Sequence, residues 1–304
     1  MRPIAALAAV AWLAVSGVGA AQPAGITREM IATALPEEGA PKAEPGPWQV
    51  VSEPAFGAPG FVVFRPSSLE TFPGADTLPV VVWGNGGCAL DGSRYAGFLT
   101  TIASHGFLVI STAAREGVPA GTRATVEDFK AALDWAEREH TRPGSPLNGR
   151  IEINRMAAMG QSCGGALSIT IGADPRVRTI GVFNSGVLPA NSDPARAFFP
   201  TVDVLKKLHG PVLLINGHER DFMMEASRST FEAIDHVPVF YGARRNAGHT
   251  ATAFHPGGGE FANVAWKWLR WQLKGDSEAG RMFAGRRCSL CRDPNWEVAA
   301  KGLD

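Results

Sequence analysis

The sequence predicts an α/β domain: a mostly parallel central sheet with helices on both faces. Three observations carry this. Unbroken β-type apolar runs recur at residues 78–83, 107–111, 179–183 and 211–216, as strands buried on both faces require. Stretches of helical spacing separate them, among them 94–104, 125–140 and 224–234, and buried strands alternating with amphipathic helices define this class. No internal repeat or interdomain linker interrupts the alternation, so a single domain is expected.

Taken in order, the chain opens on Met1-Arg2-Pro3, an apolar core over 4–15 and the small residues Val18-Gly19-Ala20. This is the pattern of a secretory signal peptide over 1–21, cleaved near Ala20-Ala21. The apolar stretch is shorter than the ~20 residues a spanning helix needs, so no stable membrane insertion is expected. Residues 22–47 are rich in Pro, Ala, Gly and Glu and read as an extended or partly disordered lead-in. Runs at 48–52 and 61–64 flank Phe56-Gly57-Ala58-Pro59-Gly60 as a hairpin. The strand at 78–83, the helix at 94–104 and the strand at 107–111 follow.

The clearest helix spans 125–140. Thr125 is placed to cap it, Asp128 takes the capping-box position, and Val126, Phe129, Leu133, Trp135 and Ala136 form an apolar face. A strand at 155–159 leads into a helix ending near Gly172. Next come a strand at 179–183, a short helix at 201–208, strands at 211–216 and 237–241 around the helix at 224–234, and a tryptophan-bearing helix at 261–273. Between Phe183 and Val212 there is room for only a loop and a short helix, so no large cap domain is expected. The catalytic domain is bounded at 48–275, and 276–304 is left as a C-terminal tail. Lys plus Arg and Asp plus Glu number 29 each, so no charge bias points to nucleic acid. Nothing in the sequence specifies an oligomeric state.

The most informative segment is Gly160-Gln161-Ser162-Cys163-Gly164, preceded by an apolar run and followed by a helical stretch. A G-x-S-x-G turn between strand and helix holds its serine at a strained apex, and small residues two places either side allow strand and helix to approach. Ser162 is therefore the candidate nucleophile, an ordinary glycine-rich turn being the plainer alternative. Serine needs a base, and the base needs an orienting group. Of seven histidines, His249 stands in a small-residue loop, Asn246-Ala247-Gly248-His249-Thr250, after the last strand of the core; His255 is its rival. For the acid, Asp221 follows the strand ending at Asn216-Gly217, with Glu219 and Asp193 as alternatives. A helix cap or surface ion pair is the plainer reading of Asp221. Oxyanion donors are expected from the amide of Cys163 and from the glycine turn Gly84-Asn85-Gly86-Gly87-Cys88, with Gly87 preferred over Cys88.

These segments together resemble the α/β-hydrolase superfamily, and within it the dienelactone hydrolase, chlorophyllase and polyester-hydrolase-like group. The resemblance covers 48–275. It implies a Ser162–His249–Asp221 triad, oxyanion amides at Gly87 and Cys163, no metal, no cofactor, and an ester substrate, small or polymeric. Two residues depart from the pattern: Asn85 stands where many relatives carry histidine, and Cys163 follows the serine. A peptidase or acyltransferase could run on the same groups, and a non-catalytic binding protein could retain the fold.

If the amides of residues 87 and 163 face one oxyanion, the side chains of Cys88 and Cys163 start from neighbouring backbone. A Cys88–Cys163 disulfide is expected on that ground, buried free thiols being the alternative, with Cys288–Cys291 as a local clip. The latter spacing also fits half a zinc site or a redox C-x-x-C. Trp266, Trp268 and Trp271 are read first as core packing. Trp83 and Phe183 are read as core or pocket lining, Phe222-Met223-Met224 as an apolar wall, and Arg244-Arg245 as solvated cations able to attract an anion.

Overall fold

The computed structural model describes residues 41–70, 77–188 and 199–303. The signal-peptide segment, most of the lead-in and Asp193 lie outside these. Nine strands form one sheet: β1 (Val50–Pro54), β2 (Phe61–Pro66), β3 (Leu78–Gly84), β4 (Leu108–Thr112), β5 (Ile151–Gln161), β6 (Val177–Phe183), β7 (Val212–Gly217), β8 (Val239–Arg244) and β9 (Trp296–Lys301). Their order is β1-β2-β4-β3-β5-β6-β7-β8-β9. Strands β3 to β8 run parallel; β1, β2 and β9 pair antiparallel at the edges. The longer helices are α1 (Ala96–Ser104), α2 (Val126–Thr141), α3 (Cys163–Ile171), α4 (Met224–Ala233) and α5 (Gly259–Lys274). Among the described residues no helix is long and apolar enough to cross a membrane.

The unbroken apolar runs are explained by a core on each face. Along β3, Val80 and Val82 pack into one cluster with Phe129 and Leu133 of α2 and Ile169 of α3. Val81 and Trp83 face the other side, among Phe98 of α1 and Phe261 and Trp268 of α5. Successive side chains of a strand point to opposite faces, so a strand covered twice has no polar positions left over. Trp83 and Phe183 are wholly buried in this second cluster, which settles them as core. Trp268 is core as well, its Nε1 donating to Thr179 Oγ1 at 2.8 Å. Trp266 is instead half-buried and stacks on His105 at 3.8 Å.

Several elements differ from the sequence reading. Strand β5 starts at Ile151, not 155: its register against β3 shifts between Pro79 and Val80, and the polar Asn154-Arg155 bulge there hides its first half. The segment read as a helix over 201–208 is a 3₁₀ helix, Val202–Lys207. The end of the lead-in is ordered against α5, Glu44 N–H donating to Asn263 Oδ1 at 2.7 Å and Asn263 Nδ2 to the Lys42 carbonyl at 2.8 Å. Thr125 does start α2, its amide donating to Asp128 Oδ2 at 2.8 Å.

The largest difference is at the C-terminus. Residues 276–304 supply the ninth strand, pairing Trp296 with Arg244 through to Lys301 with Val239. The pattern Trp-Glu-Val-Ala-Ala-Lys carries too little apolar bulk to announce a strand, yet its anchors are specific. Lys301 Nζ donates to the carbonyls of Phe231, Glu232 and Ile234 at 2.7, 3.0 and 2.9 Å, closing the C-terminal end of α4. Glu297 accepts from His218 Nε2 at 2.8 Å and Arg228 Nη2 at 2.6 Å. Cys288 and Cys291 form a disulfide in the loop before β9, so neither offers a thiolate to a metal.

The hydrogen bond from His218, supported by the Arg228 charge and opposed by partial burial, holds the Glu297 carboxyl below its ordinary range. A carboxylate lowered on folding stabilises the native state above its unfolded pKa of about 4.3 and stops doing so as pH falls through its folded value. The melting temperature of Glu297→Gln is therefore expected below wild type at about pH 6, with the gap closing towards about pH 3. Thermal melts across that range check it, and a gap that does not change with pH contradicts the anchor.

Candidate active site

Every residue of the candidate site sits at the C-terminal end of a parallel strand, where open α/β sheets place ligands. Ser162 follows β5 with φ 54° and ψ −120°, a conformation L-residues rarely adopt. Two contacts hold it there: its N–H donates to the Phe183 carbonyl at 2.8 Å, and its own carbonyl accepts from Ala166 N–H at 3.1 Å. The approach behind it is tight. A Cβ on Gly160 would strike the Gly164 carbonyl group, and one on Gly164 would strike that of Gly84. Glycine is required at these positions.

Asp221 lies in the loop after β7 and His249 in the loop after β8. A bridge between Arg220 and Gly248 aligns the two loops. His249 Nδ1 is 2.8 Å from Asp221 Oδ1, and His249 Nε2 is 3.0 Å from Ser162 Oγ. Asp221 and His249 are buried and Ser162 is half-buried, so the serine faces outward from a dry dyad. The Asp221 carboxylate is held on every side. Besides the imidazole it accepts from Met223 N–H at 3.0 Å, Gly217 N–H at 3.2 Å and Asn184 Nδ2 at 2.7 Å. Asn184, directly after β6, stands in the left-handed region at φ 49°, which turns its amide towards the acid. Phe222 packs beside the imidazole, ring centroids 4.1 Å apart.

The rival residues are placed elsewhere. Glu219 is exposed and pairs with His218 at 2.7 Å, and it is His249, not His255, that meets the serine. Arg244 is buried and paired with Glu260 at 2.7 Å, so it is not a solvated cation open to an anion. Asn85, wholly buried, fastens the turn after β3 through Nδ2 to the Ala89 carbonyl at 2.9 Å and to Thr112 Oγ1 at 3.1 Å.

In that turn the Cys88 amide is engaged with the Asn85 carbonyl at 3.0 Å and the Gly86 amide with Tyr95 Oη at 2.9 Å. The Gly87 amide makes no hydrogen bond among the described residues, its backbone at φ 66°. The Cys163 amide is the first of α3, where N–H groups have no intrahelical acceptor and carry the positive end of the helix dipole. A disulfide between Cys88 and Cys163, Cα atoms 5.1 Å apart, fastens the turn to the elbow. Beside Gly87 lies a groove of about 430 Å³ with Leu90, Val118 and Pro119 along it and Arg115 at its rim.

Three residues here were not picked out from sequence: Tyr95, Gln161 and Asn184. Gln161 lies inside the serine motif and Asn184 directly follows a strand, which are the signals that could have drawn attention to them. No group of three or more His, Cys, Asp or Glu side chains suited to a metal occurs among the described residues.

With fold and site in view, the comparisons are specific. Residues 35–276 match the profile of the PET hydrolase-like family, and the chain belongs to that family of polyester hydrolases within the α/β-hydrolase superfamily. Membership makes it a hydrolase of the ester-cleaving class. No individual curated protein matches the chain.

The disulfide joins positions 75 residues apart. Replacing both Cys88 and Cys163 by alanine is expected to lower stability by about 2–4 kcal/mol, measured by urea denaturation. A double variant as stable as wild type would show that the turn is held without the bond.

Proposed function

We propose that this protein is an exported serine ester hydrolase that works through an acyl-enzyme on Ser162. The single observation that carries the reading is the continuous hydrogen-bonded path from Ser162 Oγ through His249 to Asp221. In this reading His249 Nε2 takes the Ser162 proton as Oγ attacks the ester carbonyl, and the tetrahedral oxyanion is held by the amides of Gly87 and Cys163. The imidazolium then passes its proton to the leaving alcohol. Water, deprotonated by His249, attacks the acyl-enzyme and releases the acid, while Asp221 keeps the imidazole oriented throughout. Donors fixed before the reaction cost no reorganisation when charge develops, which is the reason to brace the turn covalently.

Family membership supports an ester as substrate, and the short connection between β6 and β7 leaves no length for a large cap. Bulky or polymeric esters therefore suit the site as well as small ones. The groove beside Gly87 is the place we assign to an apolar arm of the substrate. Export is supported by the N-terminal sequence pattern and by two disulfides, which persist in oxidising compartments.

The test is fluorophosphonate labelling with the modified residue located by mass spectrometry, alongside hydrolysis of short-chain, aryl and polymeric esters. Label is expected on Ser162 and absent from His249→Ala. Ser162→Ala or His249→Ala should lower kcat by about 10⁵–10⁶-fold, and Asp221→Asn by about 10⁴-fold through the wrong imidazole tautomer. A folded sample that neither labels nor cleaves any ester would move the reading to a binding protein.

A further inference from the structure

A buried side-chain path links the turn after β3 to the loop that carries His249. Gly86 N–H lies 2.9 Å from Tyr95 Oη, Tyr95 Oη 2.8 Å from Gln161 Oε1, and Gln161 Nε2 2.6 Å from the His249 backbone carbonyl. Its polarity is fully determined. The His249 carbonyl only accepts, so the Gln161 NH₂ must face it. The other end of that amide is then an oxygen, to which Tyr95 must donate, leaving the tyrosine oxygen to accept from Gly86. Tyr95 and Gln161 are each 2% exposed, so neither has water as a substitute partner. Burial, against the opposing hydrogen bond from the Gly86 amide, pushes the Tyr95 phenol above its ordinary pKa, so it remains a donor across the working pH range. A Cβ on Gly86 would collide with both the Gln161 Oε1 and the Tyr95 hydroxyl, so the path also fits only a glycine at its first position.

The path begins one residue before Gly87 and ends on His249 itself, passing through the residue before Ser162. It therefore ties the backbone of the turn and of the base loop to the side chain of the residue next to the serine. We infer that Tyr95 and Gln161 are positioning residues that hold the oxyanion turn and the base loop in register with the serine. This rests on the proposed roles of Ser162, His249 and Gly87. Both side chains are buried, and each acts through the backbone it fixes. A misplaced oxyanion donor or imidazole weakens the transition state more than the ground state, so the loss should fall on kcat and leave KM.

The experiment compares Tyr95→Phe, Gln161→Glu and Ser162→Ala with the wild-type chain, on one soluble ester and with a fluorophosphonate. Tyr95→Phe keeps the ring that packs against Trp83, centroids 5.3 Å apart, and deletes only the hydroxyl. Its kcat and its rate of phosphonylation are expected to fall together by about tenfold, with KM within about twofold. Gln161→Glu supplies a more specific readout. An ionised glutamate has no hydrogen for the His249 carbonyl, whereas a protonated one does. The ratio of its kcat to that of wild type should therefore rise as pH falls.

A Tyr95→Phe enzyme with wild-type kcat and phosphonylation rate would overturn the inference. So would a Gln161→Glu ratio that does not move with pH. The two failures are separable: a Ser162→Ala variant that still turns over would sink the reading of the site itself. An inactive Ser162→Ala beside an unimpaired Tyr95→Phe would sink only the path.

Discussion

The mutual approach of Gly84, Gly160 and Gly164 is the constraint on which the rest of this structure depends. Strands β3 and β5 are neighbours, and α3 leaves β5 so steeply that its first turn lies against the end of both. No side chain larger than hydrogen fits at the three positions, because each Cβ would meet backbone atoms that cannot swing aside. The steep departure forces Ser162 to φ 54° and raises its hydroxyl clear of the sheet. The same approach puts the start of α3 beside the turn after β3, which is why Cys88 and Cys163 are close enough to join. Elbow, glycine turn and disulfide are consequences of one packing contact.

Much of this was legible in the residues. Strand β3 reads as Leu-Pro-Val-Val-Val-Trp because both faces are covered, and α2 announces itself through Thr125, Asp128 and a clean apolar face. Ser162, Asp221 and His249 were approachable because each stands just beyond a recognisable strand, in the order Ser, Asp, His. What could not be read were contacts set only by tertiary geometry. Gln161 and Asn184 look like ordinary polar residues until the loops after β7 and β8 fold over them. The first half of β5 is hidden because polar residues stand in a bulge where its register against β3 shifts, and there periodicity stops reporting pairing. Pattern reports burial well; it reports the partner of a polar group poorly, since that partner is tens of residues away.

The C-terminal segment follows from the same logic. The loop bearing His249 is strung between the end of β8 and the start of α5, and a loop is only as fixed as its stems. Arg244 closes β8 and Glu260 opens α5; they pair at 2.7 Å, with side chains only 9% and 14% exposed. Trp296, the first residue of β9, donates its indole N–H to the other oxygen of Glu260 at 2.6 Å. A largely buried ion pair is favourable only when its remaining polar sites are satisfied and its geometry is good. The ninth strand supplies one of those partners and the Arg245 carbonyl, accepting from Arg244 Nη1 at 2.8 Å, supplies another. Beyond covering the sheet edge, β9 thus completes the clamp at the base of the loop that presents the imidazole. Arg244 and Glu260 fall within the matched span of 35–276, and the partner that completes their pairing, Trp296, is drawn from beyond it.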